Sequence, residues 1–243
     1  SAASDVYKRQ NSPPTSSRLD GFVVVTQSQD APNILRPRRT PAQQRSRERY
    51  ARMLSSARTV LIEHGFESFT FDEVARIADI PIGTLYQFFA NKYVMICELD
   101  RQDTEAVIEE VSRFGETVPT LKWPEFLSEF IDHLAKLWRE DVSRRAVWLA
   151  VQSTPATRAT AEDTKSRLVT EISKVLRPLV PSSSDAELNF ISDLMINATY
   201  ALLNYAVDHP GSDAEREAHY ELTVQEIKRM TISYLMSVAE AAD

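Results

Sequence analysis

Residues 70–92 read Thr-Phe-Asp-Glu-Val-Ala-Arg-Ile-Ala-Asp-Ile-Pro-Ile-Gly-Thr-Leu-Tyr-Gln-Phe-Phe-Ala-Asn-Lys. The pattern predicts a capped helix, a tight turn, a second short helix and the start of a third. Thr70 and Glu73 have the Thr-x-x-Glu spacing of a capping box, which satisfies amides left free at a helix start. Phe69 and Val74 fall at the staple positions around it. Val74, Ala75 and Ala78 share one face of a helix over residues 71–78, and the alanines let a neighbouring helix approach closely. Asp79-Ile80-Pro81 forms the turn, with Asp79 expected in the left-handed conformation. A second helix over 81–89 turns Leu85 and Phe89 to the core and leaves Ile82, Thr84, Tyr86 and Gln87 pointing outward. Gly83 costs roughly 1 kcal/mol relative to alanine inside a helix. Its bare backbone predicts a close approach, to a phosphate strand or to the first helix. Asn91 can cap the next helix, which puts Lys92 in that helix's first turn. A cation there opposes the helix dipole unless an anion such as phosphate joins it.

Helix, turn and helix in this register form the layout that places one helix in a DNA groove. The block resembles the DNA-binding domain of the tetracycline-repressor family. The resemblance extends upstream through Arg52, Leu54, Ala57, Leu61, Gly65 and Phe66, and covers residues 44–95. It implies that Tyr86 and Lys92 touch phosphates while Ile82, Thr84 and Gln87 face bases. The full set expected at DNA is Arg47, Thr70, Pro81, Ile82, Gly83, Thr84, Tyr86, Gln87 and Lys92. The chain departs from the family pattern at two places. Asp79-Ile80-Pro81 replaces the usual Gly-Val-Ser, so Pro81 offers no hydroxyl for capping or phosphate contact. Phe88 stands where a tyrosine or histidine often adds a phosphate contact.

Charge supports this placement once it is divided along the chain. The whole chain carries a net charge of −7, which by itself argues weakly against a polyanionic partner. Residues 31–92 hold ten basic and six acidic side chains, net +4, whereas residues 93–243 hold fifteen and twenty-six, net −11. A basic segment coincident with the helix-turn-helix is the footprint of phosphate contact. The acidic remainder would repel DNA and so orient the molecule.

Residues 1–42 read as a disordered extension, rich in Pro, Ser, Thr and Gln and poor in core formers. Asp5-Val6-Tyr7-Lys8-Arg9-Gln10 back-translates to a codon run found in a transposase adapter. Residues 1–10 are therefore expected to be a sequencing remnant outside the fold. Phe22-Val23-Val24-Val25 is β-prone but too isolated to make a sheet. Arg36-Pro37-Arg38-Arg39 fits either a solvated basic linker or a minor-groove arm.

Residues 43–92 form the expected DNA-binding domain, and residues 93–243 a second, helical domain for ligand binding and dimerisation. Helices are expected over 92–115, 124–139, 141–152, 155–177, 185–208 and 213–240. Thr154-Pro155 is an N-cap followed by proline at the first helical position. Ser184-x-x-Glu187 and Ser212-x-x-Glu215 are further capping boxes. Pro178, Pro181 and Pro210-Gly211 fall between helices, as breakers should. No alternating strand pattern persists, so the fold class is all-α.

The last two helices carry broad apolar faces. Leu188, Ile191, Leu194, Met195, Ala198, Leu202 and Tyr205 mark the first; Leu222, Ile227, Met230, Tyr234, Leu235 and Val238 mark the second. The family resemblance implies that these helices build a homodimer. A two-fold pair of reading helices would then engage half-sites about 34–36 Å apart on a palindromic double-stranded DNA operator. Aromatic walls with a few polar groups suit a small apolar or aromatic effector. The residues expected to hold it are Phe126, Phe130, His133, Leu137, Trp138, Trp148, Gln152, Tyr200 and Asn204. Ligand there would move the helix that begins at Lys92.

No cofactor and no metal are expected. The lone Cys97 excludes a disulfide framework and any multi-cysteine zinc site, and reads as a small buried hydrophobe in a reducing cytoplasm. No run of about 20 apolar residues spans a membrane. A Gly-rich phosphate loop, a Gly-x-Ser-x-Gly elbow and a His-Glu-x-x-His helix are missing, and the four histidines are scattered, so an enzyme is not expected. The sequence therefore predicts a ligand-responsive transcriptional repressor of cytoplasmic location. The competing readings are an architectural or adaptor protein without an effector and an all-α carboxylate enzyme.

Overall fold

The computed structural model describes residues 35–39, 41–116 and 122–242. Among them lie nine helices and no strand. These are α1 (Gln44–His64), α2 (Phe71–Ala78), α3 (Ile82–Phe88), α4 (Lys92–Gly115), α5 (Trp123–Glu140), α6 (Val142–Gln152), α7 (Pro155–Leu176), α8 (Asp185–Val207) and α9 (Asp213–Ala242). Residues 1–34, with the adapter-like start and Phe22–Val25, lie outside the described residues. No described helix is long and apolar enough to cross a membrane.

The chain leaves α1 at Gly65, whose φ of 68° a side chain would resist. Thr70 caps α2 by accepting from the Glu73 amide at 3.3 Å. The reciprocal half of that capping box is not made, a correction to the sequence reading. The Glu73 carboxylate instead takes two bonds from Arg76, one turn on. A guanidinium offers it a bidentate partner that a single amide cannot match. Helix α2 ends with Asp79 at φ 51°, ψ 55°, left-handed as expected. The amides of Asp79 and Ile80 return to the carbonyls of Arg76 and Ala75, closing the last turn in the Schellman manner. Asn91 caps α4 by accepting from the Val94 amide at 3.1 Å.

Polar side chains set the remaining boundaries. Thr154 accepts from the Thr157 amide at 3.1 Å and Pro155 opens α7. Both later capping boxes are complete: the Ser184 amide donates to Glu187 at 2.8 Å, and the Ser212 amide to Glu215 at 2.8 Å. The hydroxyls of Ser184 and Ser212 accept in return.

The core of the first four helices does not stop at α4. Met53, Ala57, Val60, Leu85, Phe89, Val94 and Met95 are fully buried, and Val147, Ala150 and Val151 of α6 join them. The second half packs α4 on α7, α7 on α8, and α8 and α5 on α9. At the end of α4, a Cβ on Gly115 would lie 2.8 Å from Cγ2 of Val175 on α7. The branched valine cannot swing aside without disturbing its own turn. Gly115→Ala is expected to lower the midpoint of thermal unfolding, because a steric cost of about 1–3 kcal/mol outweighs the helix-propensity gain of about 1 kcal/mol. A raised midpoint would contradict this packing.

The apolar stripes of α8 and α9 divide between two environments. Leu188, Ile191, Ile227 and Leu235 are buried within the chain, whereas Leu194, Tyr205, Leu222 and Met230 remain exposed, at 41, 59, 69 and 57%. Phe190 is exposed beside them on α8. Scattered surface apolar residues are ordinary, but a cluster on two adjoining helices is not.

Candidate DNA-reading face and effector cavity

Helix α3 is presented on its outer side by Leu85 and Phe89, both fully buried beneath it. Pro81, Gly83, Tyr86 and Gln87 are exposed, while Ile82 and Thr84 are half-buried. Ile82 packs partly on the core, a correction to its fully outward placement, because a helix of seven residues has little room for a wide polar face. The Tyr86 ring leans on Phe71 at 5.1 Å, leaving it 46% exposed. A Cβ on Gly83 would meet nothing within 4 Å, so the first helix does not approach it closely and the bare backbone faces open space. Phe88 is only 7% exposed, against Tyr50 and Phe89. It fills the core, whereas a tyrosine or histidine at its place in the family pattern adds a phosphate contact.

Three further residues flank this face. Arg47 and Thr70 are exposed, with Thr70 engaged as a cap. The Lys92 ammonium donates to the Phe66 carbonyl at 3.1 Å and lies 4.4 Å from the centre of the Phe66 ring. It fastens α4 to the exit of α1. Arg38 also folds back onto α3: its amide donates to the Phe88 carbonyl at 2.7 Å and its guanidinium to the Tyr86 carbonyl at 3.0 Å. A cation thus sits at the C-terminal end of α3, where the dipole favours it. Arg36 meets Asp163 on α7 at 3.1 Å.

The second site is a cavity of two lobes. A narrow apolar slot of about 90 Å³ lies among α4, α5, α7, α8 and α9, lined by Phe114, Phe126, Phe130, Leu137 and their neighbours. A wider lobe of about 350 Å³ lies among α4, α6, α7 and α8, within the size range of small-molecule sites. Trp138, Arg144, Tyr200, Val107, Leu168 and Ile196 line both. Trp138 meets Trp148 edge-on at 5.7 Å and Tyr200 at 5.1 Å.

Of the residues expected at the ligand, Phe126, Phe130 and Leu137 line the slot, Trp148 and Gln152 the wider lobe, and Trp138 and Tyr200 both. His133 and Asn204 line neither. His133 packs on the Phe114 ring at 5.0 Å. Asn204 lies one step beyond buried Leu203 on α8, and its carbonyl closes that helix by accepting from Asp208 at 3.0 Å.

Sequence reasoning missed the polar half of the wider lobe: Asp100, Asp103, Arg144, Lys165 and Asn197. A signal existed. Asp100, Asp103, Val107 and Val111 fall on one stripe of α4, so the carboxylates occupy positions of the buried face. Burial, and then the neighbouring Asp103 charge, push the Asp100 carboxyl up to about 7. Burial and then Asp100 push the Cys97 thiol up to about 12. The thiol is therefore protonated at neutral pH, which removes the thiolate that redox sensing needs.

Arg58 ties the two sites together. From α1 it donates to both carboxylate oxygens of Asp103 on α4, at 2.6 and 3.0 Å, and to the Ser143 hydroxyl on α6 at 3.0 Å. Tyr50, also on α1, hydrogen-bonds buried Glu98 on α4. Among the described residues, three buried polar atoms at or near this wall make no hydrogen bond: Nε1 of Trp138, and Nε of Arg144 and Oε2 of Glu110, which have only ion-pair contacts at 3.7 Å.

A short solvent-facing helix held by a capped partner, ahead of a separate helical half, defines a helix-turn-helix DNA-binding regulator. The chain belongs to the tetR family: "Bacterial regulatory proteins, tetR family" matches residues 53–99, and "Tetracyclin repressor-like, C-terminal domain" matches residues 121–239. It is similar to the transcriptional regulator UidR of Escherichia coli strain K12, 23% identical over 176 residues that cover 70% of this chain and 85% of that protein. Among solved structures it is similar to Salmonella enterica GusR, with a TM-score of 0.59 and 18% identity over 79% of this chain and 96% of that one. A second is FadR from Bacillus subtilis in complex with stearoyl-CoA, with a TM-score of 0.55 and 19% identity over 72% and 97% of the two chains.

Proposed function

We propose that this regulator is a cytoplasmic, ligand-responsive repressor that binds a palindromic operator as a homodimer. In this reading residues 43–92 read DNA, and residues 93–243 hold the effector and pair the two copies through α8 and α9. One observation carries the ligand response. Helix α4 begins at the reading head, fastened by Asn91 and Lys92, and its turns from Asp100 to Val111 wall the cavity. A ligand that displaces those turns moves the reading head with them, and a coupling of about 1–3 kcal/mol suffices for such control. FadR, of the same fold, was solved with stearoyl-CoA, which supports a small-molecule effector over the adaptor reading.

The test is a selection of bound DNA from a random library with the full chain, at two salt concentrations. A palindromic motif with steep salt dependence is the expected product. Failure to enrich any motif would refute the operator reading.

Within that framework the residues of the reading head divide by role. In this reading Gln87 reads an adenine edge and Thr84 contacts a thymine methyl. Gln87→Ala is expected to relax preference at one base position by about 1–3 kcal/mol. Lys92→Ala is expected to weaken all sequences alike and reduce the salt slope by about 1. Unchanged base preference in Gln87→Ala, measured by competition between operator variants, would refute the first assignment.

A further inference from the structure

The wider lobe holds a carboxylate that its surroundings leave uncompensated. Asp100 and Asp103 both line it. Asp103 is held by Arg58. Asp100 has no hydrogen bond or cation among the described residues. The cations nearby are engaged elsewhere. Arg144 on α6 stands 3.7 Å from Glu110 and 3.7 Å from Asp141, and Lys165 on α7 is 3.0 Å from both Glu162 and Asp193. Cys97 on the same helix and Tyr200 on α8 are both pushed up to about 12, so neither carries charge at neutral pH. The Trp138 Nε1–H is buried without a hydrogen bond, and the buried Arg144 Nε faces the Asp141 carboxylate at 3.7 Å. The same lobe offers aromatic surface: Trp148 and Tyr200 also line it, with their rings stacked at 6.3 Å. An aromatic ring attracts a cation that comes within about 6 Å of its centre.

We propose that the wider lobe binds an organic cation, a protonated amine whose ammonium pairs with Asp100 and whose apolar body lies on Trp148 and Tyr200 and runs into the slot. The proposal rests on reading the cavity as the effector site, and it names the class of effector. A half-buried carboxyl poised near 7 gives up its proton when an ammonium arrives, since an opposite charge favours the ionised form. Below about 7 the unoccupied carboxyl is protonated and binding must expel that proton, so amine affinity falls as pH falls.

Three probes of one shape and different charge test this: naphthylethylamine, naphthylethanol and naphthylacetate, added to the full chain and read by quenching of tryptophan fluorescence. The amine is expected to bind about tenfold or more tightly than the alcohol, as a charge-assisted hydrogen bond allows, with the acetate weakest. Asp100→Asn removes that preference and its pH dependence while leaving alcohol binding in place. Tighter binding of the acetate overturns the proposal, as does a preference that survives Asp100→Asn, or no binding by any probe. The amine-to-alcohol ratio of the parent protein decides the matter even where the variant does not fold. Adding the operator recovered by selection separates the two readings. An amine bound at Asp100 that leaves DNA affinity unchanged retires the effector reading alone. Release of DNA by the acetate and not the amine retires the cation alone.

Discussion

Leu222→Glu combined with Met230→Glu is expected to convert the protein to a monomer and to abolish tight operator binding while leaving the helices folded. Both side chains are more exposed than half and lie eight residues apart on one face of α9, which packs on α8, itself exposing Tyr205 and Leu194. In an isologous interface the same patch serves both copies, so each substitution acts twice. At about 1.5–3 kcal/mol for each buried side chain, the pair removes on the order of 6 kcal/mol, or roughly four decades in the dimer dissociation constant. The two carboxylates would add a desolvation cost if dimerisation were forced. Sedimentation at micromolar concentration and circular dichroism measure the two halves of this expectation. A variant that still sediments as a dimer would place the interface elsewhere.

Trp138→Ala is expected to be the most damaging single truncation of the second half. The indole is 2% exposed, carries the packing of Trp148 and Tyr200, and belongs to the core formed with Ile131, Leu203 and Ile227. Truncating such a residue costs about 3–5 kcal/mol, on the order of 10 °C in unfolding midpoint for a chain of this length. Trp138→Phe should cost clearly less than Trp138→Ala, because the phenyl ring leaves a smaller cavity. A second reason is specific to this site: Nε1 has no partner, so its removal leaves no buried group orphaned and relieves a desolvation penalty. Denaturant titration of both variants decides it. If Trp138→Phe proves as costly as Trp138→Ala, Nε1 donates to a partner in the folded state.

Which parts of this architecture could be read from residue order follows from the range of the forces involved. Thr154, Ser184 and Ser212 act on amides three residues away, and prolines act on their own turn, so helix boundaries were visible to within a residue or two. Asp79 was forced left-handed by its place between two short helices, and it adopts that conformation. Choices between competing partners were less visible. Glu73 takes Arg76 rather than the Thr70 amide, and nothing in the spacing ranks a guanidinium above an amide. Phe88 ends α3 and Phe89 follows it in extended conformation, and both are buried because Tyr50 arrives from α1 to cover them. The aromatic wall of the cavity was legible because apolar period marks a buried face. Its polar lobe was not, because acids on a helix ordinarily face water, and only the packing of α6 and α7 on α4 turns Asp100 and Asp103 inward.

The bridge from Arg58 to Asp103 and Ser143 bears on how such a chain could be rebuilt. Sensor engineering treats reading heads and ligand pockets as interchangeable cassettes joined at a convenient seam. Here a side chain 22% exposed crosses that seam and spends its guanidinium on a residue of each of two helices from the other cassette. A graft cut ahead of α4 would deliver a foreign residue opposite Asp103, leaving beside Asp100 a second acid without its cation. A chimera of this protein should therefore carry Arg58, Asp103 and Ser143 together, whichever cassette supplies the rest of the sequence.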